Sequence, residues 1–303
     1  MGASVNNKYN GYAEVFYRRA RKYFEQDEMR NFGEGCVSVA HCQTSIFCSM
    51  YEFKHMYFPR AWLSCGRSTR LAQLLGLQRL DGVGANMKQT LLPANDWIEQ
   101  EERRRTFWGT FWADRCASLG TGWPMVIDEK DILTNLPAGE DAFQQGIPET
   151  TISLREALEA KFAGFSSFTG SILVCTLFGR NLIHLHRPDI DDNDDDLNGK
   201  FWQRHRHIDD ILLTVSMTLP DHLRIPQGLP DPNVIFLNMC IHTSAICLHQ
   251  AAIFKAEKRR THAHVLMESK MRCMSAATEI NAIMRSVSHY DQTSVGLFIS
   301  QPL

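Results

Sequence analysis

Apolar residues recur along most of the chain at intervals of three and four positions, the spacing of one face of an α-helix. No segment shows the sustained alternation of apolar and polar residues that is typical of a half-buried strand. The sequence therefore predicts an all-α fold, an irregular multi-helix array in a single domain over residues 1–303. Three glycines, at 164, 170 and 179, interrupt one long segment, which we expect to divide into two helices. The predicted helices cover 9–29, 36–57, 60–76, 97–119, 154–186, 199–219, 233–257 and 261–287, with a helical turn at 128–132.

The most distinctive of these helices is 97–119. Asp96 suits its N-cap, and Glu99 would complete a capping box. A charged turn, EERRR at 101–105, places acids and arginines four positions apart, and we expect these pairs on a solvated face. Phenylalanine and tryptophan then occupy positions 107, 108, 111 and 112. Because aromatic side chains bury large areas, these positions are predicted to form the centre of the core.

The helix predicted at 60–76 carries its apolar side chains on one face. Pro59 suits the first turn of this helix, and Gly76 suits its end. We expect the apolar face to pack on the core. It consists of Trp62, Leu63, Leu71, Leu74 and Leu75.

Composition and charge argue against several classes of protein. The net charge of −2 provides no excess of positive charge for neutralising phosphates, so the chain alone is a poor candidate for DNA binding. Its nine cysteines include no CxxC pair, which favours buried, reduced thiols over a zinc or redox site. The first residues lack the apolar stretch of a signal peptide, and no uncharged apolar run is long enough to predict a membrane span.

Local signatures of catalysis and metal binding are missing from the sequence. It contains no GxSxG, HExxH, P-loop or kinase motif. Three His-x-His pairs, at 184/186, 205/207 and 262/264, fall in predicted helices, where residues two apart point in nearly opposite directions and cannot chelate one ion. The acidic tract at 189–198 lacks the glycine and glutamate of a calcium loop and is predicted to be a solvated linker.

Two runs and a short motif carry a resemblance. They are RAWLSCGRSTRLAQLLGLQRLDG at 60–82, EERRRTFWGTFWADRCASLGTGWPMVIDEKDI at 101–132, and Leu136-Pro137. In this order they resemble the fungal-specific transcription factor domain, the middle homology region (xylanolytic-activator type) of zinc binuclear-cluster transcription regulators. The match is best at 60–137. The motif positions interpreted as structural are Gly66, Arg70, Leu71, Gly76, Glu102, Arg105, Phe107, Asp114, Pro124, Asp131 and Pro137.

The resemblance implies a helical regulatory domain in a nuclear regulator of RNA polymerase II genes, such as those of a metabolic or biosynthetic pathway. In that family, promoter DNA is bound by a separate N-terminal cluster whose six cysteines hold two zinc ions. The resemblance thus implies zinc there, and no cofactor or metal within this chain. It also implies a homodimer or heterodimer with another regulator, a small-molecule effector, and no membrane association.

This sequence departs from the family pattern at both ends. It contains no six-cysteine cluster, and it stops in the apolar segment VGLFISQPL. We therefore expect the chain to be truncated at both ends, which leaves open whether it binds DNA itself. The alternative to a regulatory domain is a stand-alone co-regulator or dominant-negative interaction module. An enzyme that uses the Trp/Arg-rich centre as a pocket is a third, less favoured hypothesis.

An effector pocket, if the domain has one, would use polar and aromatic residues near the centre of the matched region. The candidates are Arg67, Trp108, Trp112, Arg115 and Trp123. A structural role is the simpler interpretation of each of these side chains.

Overall fold

The computed structural model describes residues 8–81, 90–119, 122–159, 164–187, 192, 196–259 and 263–289. These residues form α-helices and short 3-10 turns, and no strand occurs among them. The predicted all-α class is therefore confirmed. The chain divides into two compact units. The described residues up to 157 belong to unit 1, and those from 158 to 289 belong to unit 2.

Unit 1 is built on four long helices. They are α1 (Ala13–Glu28), α2 (Val39–Lys54), α3 (Phe58–Leu74) and α4 (Trp97–Leu119), followed by the short helices α5 (Glu140–Gln145) and α6 (Leu154–Glu159). Helix α2 packs along α3, and both contact α4. The largest fully buried side chains of unit 1 are Phe107, Trp108 and Phe111, whose rings meet edge to face along α4. The predicted aromatic centre of the core is confirmed at these three positions, and Trp112 is half-buried.

The buried face of α3 differs from the predicted one. Leu71 and Leu75 are buried as expected, but Leu63 and Leu74 are 66% and 54% exposed. The buried positions are mostly small residues: Ala61, Ser64, Cys65, Ser68, Thr69 and Ala72. Small side chains let α2 come close enough for its own side chains to bond the backbone of α3, as Ser45 does with the carbonyl of Ser64 at 2.9 Å.

Local signals predicted the ends of several helices well. Asp96 accepts the Glu99 N–H at 2.8 Å, so the N-cap of α4 is confirmed. The Glu99 carboxylate bonds the N–H of Asn95 rather than that of Asp96, which makes a variant of the capping box. Gly76 ends α3 with a φ of +74°, in the left-handed region that favours glycine. The helices predicted from the sequence do not include α5, which is only six residues long.

The segment predicted at 154–186 forms two helices, as expected. The break lies near Gly164, whose φ is +75°. The other two glycines, at 170 and 179, lie inside the second helix, α7 (Ser167–His186). At Gly170 a Cβ atom would come within 3.0 Å of Leu237, so this glycine permits a close approach between helices.

Unit 2 is organised around a central helix. Helix α9 (Pro232–Arg259) packs against α7, α8 (Lys200–Thr218) and α10 (Ala263–Val287). Helices α7 and α9 are long and apolar enough to cross a membrane by length and composition. However, the apolar window is 78% buried in α7 and 56% buried in α9, which is typical of core helices in a soluble fold.

The acidic linker predicted at 189–198 is described only at 192 and from 196 onward; its other residues lie outside the described part. Asp192 departs from the prediction of a solvated loop, because its side chain is 4% exposed. Its carboxylate accepts a hydrogen bond from Arg204 of α8 at 2.5 Å. This aspartate thus joins the packing of unit 2.

Three buried histidines from three different helices meet in unit 2. His184 of α7 stacks on Phe201 of α8 at 4.4 Å between ring centroids. His205 of α8 lies beside His184 at 6.0 Å and His249 of α9 at 5.5 Å. His249 bonds Asp209 through Nε2 at 3.1 Å. This cluster was not predicted, because the His-x-His pairs were identified by spacing within one helix. The pairs at 184/186 and 205/207 each contribute one member to the cluster. The third pair contributes none, and its His262 lies outside the described residues.

The environment of the histidine cluster keeps two of its imidazoles neutral. Both ring nitrogens of His184 and the Nδ1 of His205 are buried without a hydrogen-bond partner. Burial lowers the pKa of His184 to about 4 and the pKa of His205 to about 3. Burial alone would raise the pKa of Asp209, but hydrogen bonds from His249 and Arg272 lower it to about 2.

The free energy of unfolding should fall as the pH drops from 6.5 toward 4. In this range the unfolded chain binds protons at His184 and His205 that the folded chain does not bind, so protonation favours unfolding. The loss should be about 2 kcal/mol for each histidine by pH 4.5. Urea denaturation as a function of pH measures this dependence.

A substitution identifies the source of this pH dependence. His184→Phe keeps the stack on Phe201 and removes a titrating group, so it should flatten the pH profile by about 2 kcal/mol. His186→Phe, at an exposed position of the same helix, is the matched control and should leave the profile unchanged. Equal profiles for His184→Phe and the original chain would contradict the assignment.

Candidate functional site

The centre of unit 1 is a network of buried charges on α4. Glu101 is fully buried, and its carboxylate accepts hydrogen bonds from Arg104, from Arg105 at 3.3 Å, and from the backbone N–H of Ala138 at 2.9 Å. Arg104 is 5% exposed. It also bonds Asp81 at 2.7 Å. Glu101 thus ties α4 to the chain just after Pro137, and Arg104 ties it to Asp81 in the chain after α3.

Arg105 continues this network toward α5. Its Nη1 donates to Glu140 at 2.6 Å, and its Nη2 donates to the carbonyl of Ala138 at 3.1 Å. The guanidinium also lies over the ring of Phe143, 4.2 Å from the ring centroid. The hydrogen bond from Arg105 holds the pKa of Glu140 below its usual value. One arginine therefore contacts both the turn at 138–139 and the helix that follows it.

A second charged pair lies two to three turns further along α4. Asp114 and Arg115 are both nearly fully buried and bond each other at 2.9 Å. The Asp114 carboxylate accepts the N–H groups of Val126 and Ile127, and Arg115 donates to the carbonyl of Ile127 at 2.8 Å. Burial raises the pKa of Asp114, although Arg115 and the two backbone N–H groups oppose the shift. The two charges thus compensate each other inside the core.

These contacts fasten residues 126–138 along α4. Between the two charged ends, the indole N–H of Trp108 donates to the carbonyl of Asn135 at 2.6 Å. Thr134 bonds the carbonyl of Leu77 at 2.6 Å, which adds the end of α3. The predicted helical turn near 128–132 is confirmed as a 3-10 turn, Glu129–Asp131, within this stretch. We refer to residues 126–138 as the clamped segment.

The charged turn of α4 corrects one prediction from the sequence. EERRR was expected on a solvated face, but Glu101, Arg103 and Arg104 are buried. The Glu99–Arg103 and Glu101–Arg105 pairs do form as spaced. Asp81 and the clamped segment contact Arg104 and Glu101, whereas Arg103 donates to the carbonyl of Leu92 at 2.8 Å. Glu102 is the exposed member and bonds Gln43 at 3.0 Å.

The motif positions interpreted as structural divide into two groups in the fold. Those with a contact role are Leu71, Gly76, Arg105, Phe107, Asp114 and Pro137, which are buried, bonded or in a required turn. The exposed positions are Arg70, Glu102, Pro124 and Asp131. Of these, Arg70 and Glu102 each bond a glutamine, and Asp131 forms a long ion pair with Arg79. At Gly66 a Cβ atom would meet nothing within 4 Å, so nothing in the structure explains that glycine.

The five effector candidates differ in burial and in contacts. Trp108 and Arg115 are buried and already engaged by protein atoms, with Arg115 4.3 Å over the ring of Phe111. Trp123 is 38% exposed and packs edge to face on Trp62, at 4.8 Å between centroids. The remaining two are Arg67, which contacts Glu28 and Phe24 of α1, and the half-buried Trp112. An effector pocket at these residues stays a prediction.

Cysteine and potential metal ligands were also located. The nine cysteines are free thiols, six of them buried. In the described ranges, no group of three or more His, Cys, Asp or Glu side chains is placed to hold a metal ion.

Removing the charge of Glu101 should destabilise unit 1 strongly. Glu101→Gln preserves shape but leaves Arg104 and Arg105 with an incomplete set of buried partners, so we expect the free energy of unfolding to fall by about 3 kcal/mol. Glu102→Gln is the matched control at the neighbouring exposed position and should cost less than about 0.5 kcal/mol. Urea denaturation followed by tryptophan fluorescence measures both. Equal stability of the two variants would show that the Glu101 network does not support the fold.

Comparison with known families identifies residues 4–181 as a match to the fungal specific transcription factor domain. Pigment biosynthesis transcriptional activator pigB of Monascus ruber is 30% identical over 307 residues, which include 100% of this chain and 55% of that protein. Citrinin biosynthesis transcriptional activator ctnR of Monascus purpureus is 25% identical, over 100% of this chain and 52% of that protein.

A third similar protein, azaphilone cluster-specific transcription factor azaR of Aspergillus niger, is 28% identical over 96% of this chain and 62% of that protein. The chain thus spans about half the length of the first curated relatives it matches. No solved structure is similar to it. The family and these relatives are transcription factors rather than enzymes, which confirms the prediction of a non-enzymatic role. The chain belongs to the fungal-specific transcription factor domain family.

Proposed function

We propose that this chain is the regulatory domain of a nuclear transcription regulator that controls RNA polymerase II genes of a biosynthetic pathway. The observation that carries the proposal is the family match over residues 4–181. Relatives named as activators of pigment and citrinin biosynthesis support the pathway-specific part. The buried charges of α4 support a role as a scaffold, because Glu101 and Asp114 accept hydrogen bonds from the backbone N–H groups of Ala138 and Ile127.

Promoter DNA is the proposed target of the whole regulator. We propose that it is reached through a six-cysteine cluster holding two zinc ions, or through a partner that carries one. The net charge of −2 and the absence of CxxC pairs in this sequence support DNA binding by a separate segment. On α1, Arg18 and Arg21 form ion pairs with Glu14 and Glu25 of the same helix.

Partners and effectors belong to the same proposal. We propose that the regulator forms a homodimer or a heterodimer with another regulator. Of the five effector candidates, three are at least partly exposed and therefore better placed to meet a ligand: Arg67, Trp112 and Trp123.

The alternative function is a stand-alone co-regulator or dominant-negative interaction module. The two functions differ in how the chain acts when it is not tethered to DNA. A regulatory domain acts on the DNA-binding segment to which it is joined, whereas an interaction module acts on an intact regulator supplied separately.

A reporter assay in a fungal host tests the proposal. The 303-residue chain is placed between a heterologous DNA-binding domain and a heterologous activation domain, and the reporter output is compared with that of the same fusion lacking the chain. A coupling of 1 kcal/mol or more corresponds to a change of about fivefold, which we expect here. Glu101→Gln should abolish the change because it releases the clamped segment, while Glu102→Gln should preserve it.

A second arm separates the two functions. The untethered chain is expressed beside an intact regulator, and transcripts of that regulator's target genes are measured. Unchanged transcripts together with an effect of the tethered chain support the regulatory domain. Reduced transcripts support the interaction module, and no effect in either arm contradicts both.

A further inference from the structure

Unit 2 contains a groove that the proposed function does not use. Helix α9 forms its floor, α8 and α10 form its walls, and residues 219–225 close one end. Its cavity volume is about 500 Å³. Sites for small organic ligands typically have volumes of roughly 300–1,000 Å³. The groove therefore has the size of a small-molecule site.

The lining of the groove combines an apolar surface with a few polar groups. Leu212 of α8, Ile241 of α9 and Ala276 of α10 are buried side chains that line it. Small-molecule sites are commonly built this way, with apolar walls that bind the body of a ligand and a few polar groups that orient it. The polar groups then indicate the chemistry of the ligand.

Two arginines line the groove with much of their donor capacity uncommitted. Arg224 donates through Nη2 to the carbonyl of Met217, and no carboxylate pairs with it among the described residues. Arg272 donates through Nη2 to Asp209, and its Nε is buried without a hydrogen-bond partner. A guanidinium carries five N–H donors in a planar fork that matches a carboxylate. The two side chains can therefore donate to an acidic ligand without giving up their present bonds.

The four charges in and beside the groove sum to zero, but Arg224 is not paired with an acid among the described residues. Asp209 already neutralises Arg272, and Glu279 is the acidic side chain that lines the groove. His242 lies in the floor, and burial lowers its pKa, so it adds no positive charge near neutral pH. Arg224 is the cation without an acidic partner. A partly buried charge of this kind is stabilised when an anion binds beside it.

We propose that this groove is a binding site for a small organic acid. Its carboxylate bonds Arg224 and Arg272, and its apolar body packs against Leu212, Ile241 and Ala276. Because Arg272 shares Asp209 with His249, the bound acid is linked to the buried histidine cluster through these two side chains. Binding at this position is coupled to the packing of α8, α9 and α10.

Direct titration of the purified 303-residue chain tests the site. Naphthoate and decanoate serve as acidic probes, and naphthamide serves as a neutral probe of similar shape; isothermal titration calorimetry measures their binding. We expect saturable binding of at least one acid, and about tenfold weaker binding of naphthamide than of naphthoate. Failure of both acids to bind the original chain would overturn the proposal.

Three variants locate the binding. Arg224→Gln should weaken naphthoate binding about tenfold while leaving naphthamide binding unchanged. Ser275→Trp fills the groove from an exposed lining position and should abolish binding of both probes. Arg206→Gln is the matched control, since Arg206 is an exposed arginine on α8 that also bonds a carbonyl, that of Leu197, but lies outside the groove.

The variants also provide the outcomes that would contradict the site. Naphthoate binding of equal strength in Arg224→Gln and the original chain would place the acid elsewhere. Circular dichroism confirms that each variant folds, and Arg224→Gln, at a loop position, keeps the test decisive if Ser275→Trp does not fold. Because binding is measured on the purified chain, its result is independent of the reporter assay that tests the transcriptional role.

Discussion

The fold of unit 1 depends on one buried carboxylate. Glu101 has no exposed surface, yet its charge is compensated by Arg104, Arg105 and the N–H of Ala138. A buried charge is tolerated only when its partners are in place, and losing one of them costs several kcal/mol. Together with Arg104, which bonds Asp81, Glu101 therefore connects three separate parts of the chain: α4, the residues after α3 that include Asp81, and the end of the clamped segment. This requirement gives a physical reason for the spacing between the charged turn of α4 and Leu136-Pro137.

The second charged pair applies the same principle at the other end of the clamped segment. Asp114 is nearly fully buried, and its carboxylate accepts hydrogen bonds from the N–H groups of Val126 and Ile127 and from Arg115. Trp108 lies between the two pairs and bonds the backbone at Asn135. The residues that carry the family resemblance are thus largely the ones that hold an irregular segment against a helix. Their chemistry is structural, as expected of a family of transcription factors rather than enzymes.

How far the sequence predicts this arrangement depends on the range of each interaction. The N-cap Asp96 and the C-terminal Gly76 act within a single turn, so the ends of α3 and α4 could be predicted closely. Burial of Glu101 and Arg104 could not be predicted, because acids and arginines three or four positions apart are equally typical of a solvated helix face. Only residues distant in sequence, such as Asp81, determine whether these side chains are buried or solvated.

The same limit applies to unit 2. Its histidine cluster draws one residue from each of three helices, and sequence spacing within one helix carries no signal of such a cluster. The groove is also a product of packing, because α8 and α10 leave a space where both lie on α9. Gly170 was interpreted as a helix interruption, but it lies inside α7 where Leu237 of α9 comes close. Local sequence signals report helix ends well and interhelical contacts poorly.

The central claim is that the clamped segment is held to α4 by buried charges, so the two should open together. Native-state hydrogen exchange, read by mass spectrometry on peptides covering 126–138 and 101–119, measures the opening free energy of each. We expect the backbone N–H groups of Val126, Ile127 and Ala138 to exchange with the same opening free energy as those in the middle of α4. Exchange of the clamped segment at a much lower free energy, as in an ordinary surface loop, would contradict it.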